Sequence, residues 1–262
     1  MKKFNLLIVL LFITTCSYAQ DTLKVMTYNI YHGEQAYQEG ESNLEDVASL
    51  INKVDPDFVA LQEVDSLTHR SGKFNKGDPE DLIQTLADLT NRYGYFGKAI
   101  SYDGGGYGEG ILSKKAFKSR KLMLPIPKGG EDRAVVMLEA QTETGRRFLF
   151  AGTHLCHQYS ENRLAQVEKI NNYFKKVADP IIIGGDFNFT PEREPYKKIS
   201  SLWRDAAVLS GNTNPTISYE EPTHRIDYLF LSKKSNWKVL DLNVLKVDHS
   251  DHMPVVATIV LD

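Results

Sequence analysis

Cysteine is nearly missing from this chain. Two occur in 262 residues, Cys16 and Cys156. If the first is lost with a leader segment, no internal disulfide can form, even in an oxidising compartment. Stability must then come from an ordinary apolar core, which 42% hydrophobic residues permit. Long apolar runs are also missing after residue 19. None approaches the 18 or so residues that a spanning helix needs, so the mature chain is expected to have no integral membrane span. There is no excess of positive charge: the net charge is −3, and −5 without Lys2 and Lys3. Sequence-independent binding of duplex DNA usually relies on a cluster of phosphate-neutralising cations, and no such stripe appears. A nuclease whose metal supplies local positive charge is not excluded. Repeats, low-complexity tracts and long linkers are absent as well. So is a lone serine or cysteine with the marks of a nucleophile.

The first 19 residues differ from the rest. Lys2 and Lys3 precede an apolar run over 6–13, and Ser17-Tyr18-Ala19 places small residues at −3 and −1. This is the pattern of a secretory signal cut before Gln20, so the chain is expected to be exported. The run is too short to span a membrane. Cys16 follows Ile13-Thr14-Thr15, a poor context for lipid anchoring. The remainder, 20–262, reads as one domain, expected to be a monomer.

Apolar residues recur at helical spacing over 43–53, 81–93 and 161–177. Strand patterns occupy 107–113, 121–124, 134–142, 147–154, 226–231, 237–247 and 254–261, with Thr144-Gly145 as a hairpin turn. Many strands with a few helices suggest two packed sheets flanked by helices, an α/β class. Residues 65–79 read as a mobile loop near a site. The Gly104–Gly108 stretch lacks a trailing lysine for a P-loop and the spacing of a dinucleotide fingerprint, and reads as a tight turn.

What the chain does have is a set of polar residues at the ends of apolar runs: Asn29, Glu63, His154, Asp186 with Asn188, Asp227, and Asp251 with His252. A rigid sheet can deliver strand-end side chains into a cleft. Carboxylates, amides and imidazoles without a covalent nucleophile point to metal-assisted attack by water. Each residue has a plainer reading: Glu63 as a solvent-facing strand end, Asn29 as a turn residue, and Asp186-Phe187-Asn188 as an Asx turn. Glu63 would be costly to bury unpaired, and hard oxygen ligands suit Mg²⁺ or Mn²⁺. Asp186 and Asn188 stand two apart, so an extended chain aims both one way. His154 and Cys156 lack the four-ligand spacing of structural zinc. Asp227 is a candidate to orient His252 as a general acid or base.

Taken in order, TYNI (27–30), LQEVD (61–65), YGEGILS (107–113), GTHL (152–155), GGDFN (184–188), RIDYLF (225–230) and SDHMPV (250–255) resemble the endonuclease/exonuclease/phosphatase, or DNase-I-like, superfamily. The resemblance covers nearly the whole mature chain. It implies a four-layer α/β sandwich and Mg²⁺-dependent hydrolysis of phosphoester bonds. By motif it implies that Asn29, Glu63 and Asp251 lie on the metal side. His154, Asp186 and Asn188 match phosphate-side and water-side residues, and Asp227 pairs with the catalytic His252. His69-Arg70-Ser71-Gly72 is similar to small bacterial members, which makes Arg70 a candidate for substrate phosphate; Arg163 and Gln166 are candidates for the same wall. Two departures weigh against a DNA-repair role. Tyr31-His32-Gly33 lacks the extra acidic residue of base-excision nucleases, and Glu109 stands where many members have asparagine or another polar residue. The expected substrate is a phosphodiester or phosphomonoester, whether a small molecule, lipid head group or nucleic acid. A secreted nuclease, a sphingomyelinase-like enzyme and a non-catalytic binding module remain as alternatives.

Overall fold

The apolar runs pair into two sheets in the computed structural model, which describes residues 21–261. The expected leader and Cys16 lie outside the described residues. The first sheet has seven strands. Its order is β12 (Trp237–Val244), β13 (Val255–Leu261), β1 (Asp21–Asn29), β2 (Phe58–Thr68), β5 (Gly105–Ser113) and β4 (Tyr93–Tyr102), with the short β3 (Glu80–Asp81) paired to β2. The second has six strands, in the order β10 (Trp203–Asp205), β11 (Asp227–Ser232), β9 (Ile181–Asp186), β8 (Arg147–His154), β7 (Arg133–Gln141) and β6 (Lys118–Leu124). The helices are α1 (Leu44–Val54), α2 (His69–Gly72), α3 (Leu82–Thr90), α4 (Ser160–Phe174), α5 (Glu194–Ile199) and α6 (Ala206–Ser210). No helix among the described residues is long and apolar enough to cross a membrane.

Strand alternation sorts side chains into layers. Val25, Ala60 and Ile111 of the first sheet meet Val136, Phe150, Ile182 and Leu229 of the second between the sheets. On the outer face of the first sheet, Met26, Val59, Leu61 and Leu112 pack under Val47 and Ile51 of α1 and Leu86 of α3. Outside the second sheet, Met137, Ala151, Ile183 and Phe230 pack under Val167, Ile170 and Phe174 of α4. The result is the expected four-layer α/β sandwich. Each such aliphatic or aromatic side chain, fully buried, contributes about 1.5–3 kcal/mol.

Each sheet holds one parallel pair at its centre: β1 with β2, and β8 with β9. Every other pairing is antiparallel, so the sheets are mixed. The C-terminal ends of the two parallel pairs lie at one edge of the sandwich, and they carry Asn29, Glu63, His154 and Asp186. Close backbone approach at this edge needs glycine. A Cβ on Gly185 would stand 2.1 Å from the Thr153 carbonyl oxygen, and no side chain fits there.

Several expectations change. The second helix ends at Thr90 rather than 93, because Asn91 adopts a left-handed conformation (φ 51°) that closes it. Its start is set by Asp81, whose Oδ1 accepts from the Ile83 and Gln84 N–H groups. Tyr93 instead opens β4, an edge strand with mixed exposure that periodicity did not distinguish from the helix before it. The third helix stops at Phe174, and the strand from Trp237 stops at Val244. Residues 65–79 are not simply a loop. β2 runs on to Thr68, whose side chain caps α2 by accepting from Ser71 N–H. The glycine stretch near 104 is the expected tight turn, with Asp103 and Gly104 at positive φ between β4 and β5.

Candidate active site

Register brings three of the expected residues side by side. His154 on β8 pairs directly with Asp186 on β9, and Asp186 pairs with Asp227 on β11. From the other sheet, Asn29 closes β1 and Glu63 follows at a bulge in β2, between Leu61 and Val64. Glu63 sits at φ 57° and Asn188 at φ 53°, conformations that cost non-glycine residues energy and persist where surroundings over-determine them. Asp251 and His252 precede β13. Their loop is tied to β1 by Ser250, whose Oγ donates to the Asn29 carbonyl at 2.7 Å.

The Asn29 amide joins the two halves. Its Nδ2 donates to Glu63 Oε1 at 3.1 Å and to Asp186 Oδ2 at 3.2 Å, so one side chain holds carboxylates from both sheets. Asp186 is the hub. Its Oδ1 accepts from Asn188 N–H at 2.9 Å, and its Oδ2 lies 3.4 Å from His154 Nε2 and 3.7 Å from His252 Nε2. His252 Nδ1 meets Asp227 Oδ2 at 2.9 Å. That oxygen also accepts from Thr216 Oγ1 at 2.6 Å, while Asp227 Oδ1 is buried without a hydrogen-bond partner. Asn188 Nδ2 faces His154 Nε2 at 3.0 Å and donates to the Leu155 carbonyl.

Charge follows from this geometry. Burial works against a charged His252 ring, but the carboxylates of Asp227 and Asp186 prevail and raise its pKa above the ordinary histidine value. Burial raises Asp186, with the His252 charge opposing. Burial also raises Asp251. His154 is driven the other way: burial, and then the Arg133 cation, lower it well below the ordinary value, which keeps the ring neutral. A neutral ring can accept at Nε2 from the Asn188 amide. For Glu63, burial opposes ionisation, and the Asn29 amide that donates to Oε1 is among the contacts that hold its pKa below the usual carboxylate range.

Four carboxylates, Glu63, Asp186, Asp227 and Asp251, therefore converge with few cations to balance them. Ligand atoms of Asp186, Asp227 and His252 lie within 4.8 Å of one another, a group that could hold a metal ion. The oxygen-rich donor set suits a hard divalent cation. In Asp227, Oδ2 is committed to His252 and Thr216, which leaves Oδ1 without a hydrogen-bond partner.

Two expected residues stand apart from the cluster. Arg70 makes a two-pronged pair with buried Asp65, at 2.8 Å from both Nε and Nη2, and stacks over Tyr102 and Tyr107. Its side chain is 20% exposed. Arg163 donates from Nη1 to the carbonyls of Cys156 and His157 and so buttresses the loop after β8; Gln166 accepts from Cys156 N–H in the same loop. Glu109 is buried between the sheets, with neither carboxylate oxygen in a hydrogen bond. Thr216, Ser250 and His32 are members of the site that no sequence pattern marks: the first two act through single side-chain hydrogen bonds made by loops, to Asp227 and to the Asn29 carbonyl, and His32 points inward only because of an unusual turn. A cavity of about 690 Å³ lined by Phe117, Arg120, Glu139, Arg147 and Tyr173 lies by the start of β8 and includes no cluster residue.

Comparison with known proteins agrees with this architecture. Residues 26–252 match the Endonuclease/Exonuclease/phosphatase family, whereas no curated protein matches the sequence. Among solved structures, an endonuclease/exonuclease/phosphatase from Beutenbergia cavernae superposes with a TM-score of 0.77 at 22% identity, over 92% of this chain and 72% of that one. A mannosyl-6-phosphatase from Bacteroides thetaiotaomicron gives 0.71 at 19% identity, over 90% and 99%. The catalytic domain of human Nocturnin, with bound sulfate, gives 0.71 at 22% identity, over 93% and 96%. At these identities the likeness is one of fold. The family match spans every strand end that feeds the cluster, and on that ground the chain belongs to the Endonuclease/Exonuclease/phosphatase family, whose members hydrolyse phosphoester bonds.

Proposed function

We propose that the protein is an exported, divalent-metal-dependent phosphoesterase that directs water in line at a phosphodiester or phosphomonoester. The observation that carries this reading is the meeting of Glu63, Asp186, Asp227, Asp251, His154 and His252 from two sheets around the Asn29 amide. Glu63 and Asp251, with the oxygen of Asn29, would hold the cation, Mg²⁺ with Mn²⁺ as the alternative. When bound, such an ion neutralises the anionic phosphate and the developing charge on the leaving oxygen.

The protein's own groups do the rest. Asp227 fixes the His252 ring through Nδ1 and leaves Nε2 facing Asp186. A proton taken from water can be held on this Asp186–His252 pair and delivered from it, which is acid–base work worth about 10²–10⁴ in rate. His154 and Asn188 lie beside Asp186; they would trade their contact with each other for non-bridging phosphate oxygens, the imidazole then donating from Nε2. Arg70 is assigned to the substrate rim, because its Nη1 takes no part in the pair with Asp65. Arg163 would serve substrate through the loop that it buttresses. Export rests on the sequence of residues 1–19 alone.

A panel of phosphomonoesters, phosphodiesters, DNA and sphingomyelin, each with Mg²⁺, Mn²⁺ or chelator, tests the reading. Chelator-sensitive hydrolysis of at least one ester class is expected. Hydrolysis that chelator leaves untouched, or none with any substrate, would reject it.

A further inference from the structure

His32 is absent from the mechanism above, yet it is buried against the metal-side carboxylate. Its residue is 9% exposed. It sits in a 3-10 turn, Tyr31–Gly33, where Tyr31 (φ 49°), His32 (φ 46°) and Gly33 (φ 86°) are left-handed in succession. Such backbone costs about 1–3 kcal/mol per non-glycine residue and survives only where neighbours enforce it. They do so here. Asn29 Oδ1 accepts from Tyr31 N–H, and the Asn43 amide donates to the carbonyls of Ile30 and Glu34. The outcome of this strained turn is an imidazole ring held between two carboxylates.

The two contacts differ. Nε2 lies 3.1 Å from Glu34 Oε2, a hydrogen bond, and Glu34 is itself anchored by the Gly40 N–H on Oε1. An ionised carboxylate only accepts, so Nε2 carries the proton. Nδ1 faces Glu63 Oε2 at 3.6 Å, beyond bonding reach, and has no other partner. With Nε2 protonated and Nδ1 bare, the Nδ1 lone pair faces an anionic oxygen, an arrangement that a cation between them would relieve. Two neighbouring donors about 2.1 Å from one octahedral ion stand about 3 Å apart, so binding would draw Nδ1 and Oε2 slightly together from the 3.6 Å seen. A carboxylate on the far ring nitrogen is also the usual support for a metal-bound histidine.

The geometry points to His32 Nδ1 as a nitrogen ligand, so that Glu34, His32 and Glu63 form a carboxylate–histidine–metal–carboxylate chain. This rests on the metal-dependent reading above and deepens it: a nitrogen donor favours Mn²⁺ over Mg²⁺, which prefers all-oxygen shells. The test is electron spin-echo spectroscopy on the full chain loaded with Mn²⁺, beside titration calorimetry with Mn²⁺ and with Mg²⁺. Wild type should show imidazole nitrogen modulation that disappears in His32→Ala. The Mn²⁺ Kd should rise tenfold or more in that variant, and the Mg²⁺ Kd by less. Glu34→Gln keeps the ring but weakens its anchor, and should give a smaller loss with the modulation retained. Modulation that persists unchanged in His32→Ala, or no modulation in Mn²⁺-loaded wild type, overturns the assignment and leaves the metal site itself standing. A wild-type chain that binds neither ion would overturn both this inference and the proposed function.

Discussion

Replacing Glu109 by glutamine should stabilise the protein by an amount that grows with pH. Glu109 is buried and pairs across to Gly97 on β4, whose α-carbon stands against Val136 of the second sheet. Burial pushes its pKa up to about 8, with the Arg133 cation and the backbone of Ala134 opposing. Those opposing groups do not amount to a partner, since neither oxygen completes a hydrogen bond, and Arg133 is engaged elsewhere, with Glu131 at 2.9 Å and His157 at 3.1 Å. The sign follows from linkage. A carboxyl whose folded pKa lies above its unfolded value holds its proton longer when folded. Its contribution to stability is intact below the unfolded value, near 4.5, and is lost as pH rises through about 8. At about 1.4 kcal/mol per pH unit, the loss is on the order of 3 kcal/mol by pH 7 and 4–5 kcal/mol above pH 8. Glutamine fills the same volume and does not titrate. Urea unfolding of both chains at pH 5, 6, 7 and 8 measures the difference, in which all other titrations cancel. The glutamine chain should gain about 1.4 kcal/mol per pH unit over this range. A difference independent of pH, or a glutamine chain weaker at pH 8, would show that Glu109 is an ionised partner of Arg133 and refute the argument.

Other perturbations separate chemistry from scaffold. Asp227→Asn keeps the Thr216 contact but removes the charge facing His252; turnover should fall about 10²–10⁴, and an NMR titration should show the His252 pKa drop toward the ordinary histidine value. An unchanged titration with near wild-type turnover would remove Asp227 from its role. Gly185→Ala drives a Cβ into the Thr153 carbonyl; denaturant unfolding should show a loss on the order of 3 kcal/mol, and a loss under 0.5 kcal/mol would mean that the parallel pair can part at no cost.

The central strands were legible because they are buried on both faces. Runs such as Ile181-Ile182-Ile183, closed by Gly184-Gly185-Asp186, have no polar alternation to confuse with a helix. Their ends were legible for the same reason: Asn29, Glu63, His154 and Asp186 interrupt apolar runs, and the structure brings these four together. Edge elements were not. β4 exposes much of its length, so its residues obey no strict pattern. The path after Glu63 was hidden because the β2 bulge and the Thr68 cap depend on single hydrogen bonds that composition does not report. His32 was missed for a deeper reason. Two successive non-glycine residues at positive φ cannot be anticipated from their types, and only that turn puts the ring beside Glu63.

Hydrolysis by Glu63→Ala, measured against wild type with Mg²⁺ or Mn²⁺ on a chromogenic phosphodiester and its monoester counterpart, tests the central claim most directly. The variant should fold, with circular dichroism matching wild type, while its metal-dependent turnover falls by a hundredfold or more and its metal affinity is lost. A folded Glu63→Ala chain that binds metal and turns over substrate within threefold of wild type would contradict it.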